Sequence, residues 1–231
     1  MLELHDLHAH YGRAHILQGV TLAAREGEVL ALLGRNGAGK STTMKSAMGL
    51  VRPSAGTVRF RGEEIAGREP FEIARRGIGY VPEERRIFTE LTVMENLEVG
   101  RRPARDGIPP WTPERVFALF PSLGAMRARP GGRMSGGEQQ MLTIGRTLMG
   151  NPLLILLDEP SEGLAPVIIE RMAEAILSLK RDGLTVLLSE QNLHFARLVS
   201  DRACVLEKGA IRWEGAMDAL GDDVRAQYLS V

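Results

Sequence analysis

Apolar residues in this chain fall into two patterns that take turns. Short apolar runs closed by glycine, proline or acidic residues alternate with longer stretches in which apolar positions recur every three or four residues. Leu2 to His8 and Val20 to Ala24 alternate loosely between apolar and polar, as edge strands do. Glu28 to Leu33 is a short apolar run ending in glycines, and Lys40 to Leu50 reads as a helix. Gly56 to Arg61 predicts a strand after the turn Pro53 to Gly56, and Ile78 to Val81 another, stopped by Pro82. In the second half, Leu153 to Leu157, Leu184 to Ser189, Ala203 to Glu207 and Ile211 to Glu214 read as strands. Between them, Leu193 to Val199 reads as a helix. Pro166 to Arg181 is amphipathic, with Ile169, Met172, Ala173, Ile176 and Leu179 near one face. Strands alternating with helices predict an α/β fold with a mostly parallel, helix-covered sheet.

The middle of the chain breaks this rhythm. Strand signals nearly vanish between Ile87 and Gly150, and three helix starts replace them. Thr92 to Glu95 has the spacing of a capping box, in which the Thr accepts from an early N–H and the Glu reaches back. Thr112-Pro113 places proline at a first helical position. Ser135-Gly136-Gly137-Glu138 repeats the box spacing. The expected organisation is one domain, 1–231, with 1–86 and 151–231 as its core and 87–150 as an inserted helical subdomain. The proline- and arginine-rich stretch Arg101 to Pro113 is the expected mobile loop.

Charge narrows the partners. The 29 basic and 29 acidic residues cancel, whereas nucleic-acid binders carry a basic surplus to neutralise phosphates. No nucleic-acid partner is therefore expected. The longest apolar runs are far short of the roughly 20 residues a spanning helix needs, and the Met1 to Asp6 start lacks the basic and apolar regions of a leader. Cys204 is the single cysteine. It lies in an apolar run, is expected to be a buried thiol, and fits a reducing, cytoplasmic setting.

The chemistry concentrates at strand ends. Gly34-Arg35-Asn36-Gly37-Ala38-Gly39-Lys40-Ser41-Thr42 follows an apolar strand and opens a helix, the setting of a phosphate loop. Its glycines let the backbone aim N–H groups at phosphate oxygens, and the helix offers its positive end. Lys40 can reach terminal phosphates, and the Ser41 hydroxyl can hold Mg²⁺. Asp158 and Glu159 end another apolar strand, where open α/β sheets bind ligands. Asp158 suits the Mg²⁺ shell, and Glu159 suits activation of a water for attack on a γ-phosphate. So far this describes a Mg-nucleotide hydrolase or a kinase. Ser135 to Glu138 adds a second helix N-terminus with two glycines, a second anion site in the other subdomain. One nucleotide hardly needs both cradles unless a partner supplies the second.

Met134-Ser135-Gly136-Gly137-Glu138-Gln139-Gln140 resembles the signature of ATP-binding cassette (ABC) proteins, in the right order between the phosphate loop and the Asp-Glu strand. The resemblance covers essentially the whole chain. It implies a P-loop NTPase core with an N-terminal antiparallel β subdomain and an inserted helical subdomain. It also implies a head-to-tail dimer with ATP between one subunit's phosphate loop and the other's signature helix. By resemblance, Tyr11 stacks on adenine, and Gly34 to Thr42 and the partner's Ser135, Gly136, Gly137 and Glu138 hold the nucleotide. Ser41, Glu83 and Asp158 take the metal, and Glu159, Lys40 and Gln191 carry the catalysis. Glu83 and Gln191 stand where most of the family has Gln and His. His194, three residues past Gln191 on a helical stretch, is expected to be a surface or packing histidine.

Val81-Pro82-Glu83-Glu84-Arg85-Arg86, Asp158 to Pro166 and Glu190-Gln191-Asn192 look like the shorter ATPase subunit of branched-chain amino-acid importers. That implies permease partners, a second ATPase subunit (a copy or a paralogue), an indirect substrate-binding protein, and a peripheral place at the cytoplasmic face of the cell membrane. The surface near Glu83 to Leu97 would receive the permease's coupling helix. A sister importer for urea or short amides, a soluble nucleic-acid ABC ATPase and a P-loop kinase or nucleotide switch are the alternatives.

Overall fold

The computed structural model describes residues 1–105 and 107–229. Asp106, inside the expected mobile loop, and residues 230–231, at the end of the expected core, lie outside them. Among the described residues, ten strands form two sheets. The first runs β2(Ala14–Ala24), β1(Leu2–Tyr11), β4(Ala55–Phe60), β5(Glu63–Glu64), with all neighbours antiparallel. The second runs β10(Ala210–Ala216), β9(Arg202–Glu207), β3(Val29–Leu33), β8(Thr185–Glu190), β7(Leu154–Asp158), β6(Ile78–Val81), and only its β10–β9 pair is antiparallel.

The second sheet is buried on both faces, which is why its strands read as unbroken apolar runs. Successive side chains of a strand point to opposite faces. Leu30, Leu32, Leu154, Leu156 and Leu187 pack toward the antiparallel sheet and α1(Lys40–Ala47). Val29, Ile155, Leu157, Val186 and Leu188 pack into the core built with α6(Gly136–Leu148) and α7(Pro166–Arg181). The expected α/β class holds. One expectation fails: β1 pairs on both sides and is an inner strand, not an edge. Alternation reports one buried face, and inner strands of antiparallel sheets share it.

Helices occupy the stretch between β6 and β7: α3(Val93–Gly100), α4(Pro113–Leu119), α5(Pro121–Gly124) and α6. The Thr92 and Ser135 boxes both form, each with the Glu side chain accepting from the cap N–H. A helix the pattern did not signal, α2(Pro70–Arg76), precedes β6. The described part of Arg101 to Pro113 is not loose. Buried Asn151 accepts the Trp111 N–H at 2.7 Å and donates to the Arg102 and Pro103 carbonyls at 2.9 and 3.2 Å. Arg105 Nε in turn donates to the Asn151 carbonyl at 2.6 Å.

Candidate active site

Parallel strands bring their carboxyl ends to one edge of the sheet. Here β3, β8, β7 and β6 lie side by side, so the segments after them converge: Gly34 to Thr42, Ser189 to Gln191, Asp158-Glu159 and Glu83. This is where an open α/β sheet binds ligands.

The loop after β3 curls on two glycines with positive φ, Gly37 at +78° and Gly39 at +111°. Gly34 is required for a different reason. A Cβ there would stand 2.4 Å from the Leu206 carbonyl oxygen on neighbouring β9. The loop therefore packs on the sheet, and Gly209 N–H donates to the Ala38 carbonyl at 2.9 Å. Lys40 is buried and folds back over the loop, donating to the Gly34 and Arg35 carbonyls at 2.7 and 3.2 Å. Its Nζ also lies 2.9 Å from Glu159 Oε1.

Asp158 is held on three sides. Ser41 Oγ donates to Oδ1 at 3.0 Å, Ser189 Oγ donates to the same oxygen at 2.6 Å, and Tyr80 OH donates to Oδ2 at 3.0 Å. Burial, then the Asp158 charge, pushes the Tyr80 phenol well above its ordinary range, so it remains a donor. Glu159 takes φ +49°, and its N–H donates to the Ser189 carbonyl and hydroxyl, both at 3.1 Å. Gln191 Nε2 donates to the two Glu159 oxygens at 3.3 and 3.2 Å. Glu190, buried beside them, accepts the N–H groups of Ser161, Gln191 and Asn192 and so shapes both segments. Burial raises its carboxyl above the usual range.

Glu83 is exposed and faces Glu162, Asp158 and Glu159. Partial burial and these acids raise its carboxyl. An all-oxygen donor set centred on Ser41 Oγ and Asp158 fits a hard divalent cation. Tyr11, at the end of β1, is half exposed. His194 is exposed on α8(Leu193–Val199), as expected.

Lys40, Ser41, Asp158, Glu159 and Gln191 thus form one network. Ser135 to Glu138 do not join it. Among the described residues, no hydrogen bond or ion pair links them to Gly34 to Thr42. Tyr80, Ser189 and Glu190 were not singled out from sequence. Ser189 had a signal: it is the first polar residue after an apolar run, as Asp158 is, and it sits in register beside it.

The family model described as ABC transporter matches residues 17–162. A branched-chain amino acid transport ATP-binding protein of Pseudomonas aeruginosa, BraG, is 43% identical over 99% of each chain. A probable branched-chain amino acid transport ATP-binding protein of Archaeoglobus fulgidus, LivF, is 35% identical over 95% of this chain and 94% of its own. Among solved structures, a dimeric post-hydrolysis ATP-binding cassette bound to ADP and Pi superposes with TM-score 0.80 at 25% identity, covering 94% of this chain and 99% of that one. A phosphate loop and an acidic strand end meet within one hydrogen-bonded network, a capped glycine helix stands apart from it, and relatives match end to end: the chain belongs to the ABC transporter family, as one of its ATP-binding, ATP-hydrolysing cassettes.

Proposed function

We propose that this cassette drives a membrane importer of branched-chain amino acids, working in a head-to-tail dimer at the cytoplasmic face of the cell membrane. Support for the cargo comes from the two relatives named for that transport, which match along nearly their full length. Residues 1–86 and 151–231 act as the nucleotide-binding core and 87–150 as the helical insert. A substrate-binding protein delivers cargo to the permeases and touches the cassette only through them. No nucleic acid takes part.

The observation that carries the catalytic reading is the Lys40–Glu159–Gln191 cluster beside Asp158. Lys40 leaves Glu159 for the phosphate oxygens when ATP enters, and Gly34 to Thr42 wrap the phosphates. Tyr11 stacks on the adenine. Ser41 and Asp158, with Glu83 nearby, would hold Mg²⁺, which would supply positive charge to offset that of the phosphates. Glu159, freed of Lys40, accepts the proton of the attacking water. Gln191 keeps its donors on the Glu159 carboxylate and so orients the base. Ser135, Gly136, Gly137 and Glu138 of a second cassette close over the γ-phosphate, and loss of phosphate releases them.

No helix among the described residues is long and apolar enough to cross a membrane. Coupling therefore needs a docking surface. A groove of about 950 Å³ includes Phe88 of the Glu83 to Leu97 surface and is completed by Leu50, Phe71, Val99, Arg102 and Arg105. It offers exposed apolar side chains for a permease helix.

The test is ATPase activity with and without the permeases in lipid, with substrate-binding protein carrying leucine, isoleucine or valine. Stimulation by the loaded binding protein is expected. A rate indifferent to permease and cargo overturns the importer reading. Independently, Ser135→Arg in a Glu159→Gln background should stop ATP-dependent dimers in sedimentation; normal dimers would refute the sandwich.

A further inference from the structure

The turn between β6 and α3 carries two arginines in the left-handed region, Arg85 at φ +62° and Arg86 at +50°. Such angles are uncommon for long side chains and need support from their surroundings. The support comes from α6. Thr143 Oγ1 donates to the Arg85 carbonyl at 2.9 Å, and Arg146 Nη2 donates to the Arg86 carbonyl at 2.6 Å. With the turn so placed, the Arg85 guanidinium lies against Gly136. A Cβ at Gly136 would stand 2.8 Å from Nη1, 3.3 Å from Cζ and 3.4 Å from Nη2. The guanidinium therefore lies within van der Waals reach of the first turn of α6.

Side-chain directions in a helix tilt toward its N-terminus, so the guanidinium covers the N-terminal rim of α6. That rim already carries the helix's positive partial charge and has Ser135 as its cap. Among the described residues, Arg85 has no hydrogen-bond or ion-pair partner for its guanidinium. The acid on that rim, Glu138, turns its carboxylate to the Ser135 N–H at 2.7 Å and makes no ion pair with Arg85. An anion arriving there would complete the arrangement.

We propose that Arg85 contacts phosphate in trans: it adds a guanidinium to Ser135, Gly136 and Gly137 at the triphosphate held by a second copy of this chain. The proposal rests on the head-to-tail reading above. Its charge counts toward dimer closure and not toward the first capture of ATP, because the other cassette's loop makes that capture. Arg is suited to the task, since its planar fork pairs with phosphate oxygens in two bonds. The same turn carries Glu83, so one hydrogen-bonded unit joins the acidic edge of a cassette's own site to the cradle it offers its partner.

The experiment compares Glu159→Gln protein with the same protein carrying Arg85→Ala or Arg85→Lys. Two quantities are read: the affinity of dilute monomer for Mg-ATP, and the dimerisation constant with ATP by sedimentation velocity. Arg85→Ala should weaken dimerisation at least tenfold and leave monomer affinity within twofold, and Arg85→Lys should recover part of the loss. The salt dependence of dimerisation should also become shallower in Arg85→Ala, as expected for a lost cation–phosphate contact. Equal dimerisation in Arg85→Ala overturns the role of Arg85. So does a loss of monomer affinity that matches the loss of dimerisation. A Glu159→Gln parent that stays monomeric with ATP overturns the head-to-tail reading itself, and this proposal with it.

Discussion

Lys40 Nζ and Glu159 Oε1 lie 2.9 Å apart, with both side chains more than nine-tenths buried. The phosphate-binding cation and the candidate base neutralise one another in the absence of ATP. Each also has a second tie: Lys40 to the Gly34 carbonyl, Glu159 to Gln191. ATP binding must therefore exchange one ion pair for another. That makes nucleotide entry and release of the base a single event, and it gives each partner's removal a distinct signature.

Glu159→Gln removes the anion that competes for Lys40. ATP should then bind more tightly, on the order of tenfold, which corresponds to about 1.4 kcal/mol. Turnover should fall by roughly 10² to 10⁴, the usual contribution of a positioned base. Calorimetric titration with ATP and a phosphate-release assay check the two halves. Near-normal hydrolysis would falsify the assignment of Glu159.

Lys40→Ala leaves the Glu159 carboxylate buried without its cation. Removing one member of a buried pair costs about 3–5 kcal/mol. Here about 2–3 kcal/mol is expected, because Gln191 still donates to the carboxylate. For a chain of this length, that is a fall in Tm of roughly 4–12 °C without nucleotide. Adding Glu159→Gln to Lys40→Ala should restore part of the loss, although ATP binding stays weak. A thermal-melt double-mutant cycle with no coupling would show that the pair contributes nothing to the resting protein.

The sequence shows the site wherever a polar residue interrupts an apolar run. Asp158 and Glu159 were legible because they close a strand of leucine and isoleucine, and Lys40 because the glycine-rich loop Gly34 to Gly39 leads into it. Ser135 was legible because its capping box is local, with partner Glu138 three residues on. Tyr80 was not, because a tyrosine in a short strand reads as packing until Asp158, 78 residues away, is placed against its hydroxyl. The inner position of β1 was hidden for the same reason: pairing partners are non-local. The α2 helix was missed because Ile73 is its one buried residue and Glu69 is an uncommon cap, so it shows no apolar stripe. The Arg101 to Pro113 stretch has the composition of a loose loop, but Arg102, Pro103 and Trp111 are tied to Asn151, 40 or more residues away.

Gly34→Ala should be worse than Gly37→Ala, though both lie in the loop. At Gly34 the new methyl meets the Leu206 carbonyl at 2.4 Å, and that oxygen belongs to a strand that cannot yield alone. Overpacking of this kind costs about 1–3 kcal/mol. At Gly37 nothing lies within 4 Å, and the strain is conformational, from φ +78°, at roughly 1–2 kcal/mol. Chemical denaturation should rank Gly34→Ala as the less stable, with ATP binding weakened in both. A reversed order would show that the loop does not rest on β9 as described.

Cys204 should be inert in the native protein. It is fully buried, and burial, aided by Glu214, pushes its thiol up to about 12. At pH 8 almost no thiolate forms, and the thiolate is the nucleophile. Ellman's reagent should titrate no thiol natively and one in denaturant. Rapid native labelling would mean that β9 opens far more readily than its place inside the sheet implies.

Gln191 stands where most of the family has a histidine, and its geometry shows what it does instead. Its amide nitrogen lies 3.3 and 3.2 Å from the two oxygens of Glu159, a donor aimed at the base. Gln191→Ala should therefore lower kcat by roughly 10- to 100-fold, the scale of a lost positioning bond of about 1.4–2.8 kcal/mol, with little change in KM for ATP. Gln191→His can still donate one ring N–H to Glu159, so activity should remain measurable, within about tenfold of the parent. It also introduces a group whose ordinary pKa is near 6.5. The rate of the His variant should consequently show a titration between about pH 6 and 7 that the parent lacks, because glutamine does not ionise. Steady-state kinetics across that pH range check both substitutions. An unchanged kcat in Gln191→Ala would remove the orienting role, and complete loss in Gln191→His would show that the site depends on the amide in a way a ring donor cannot replace.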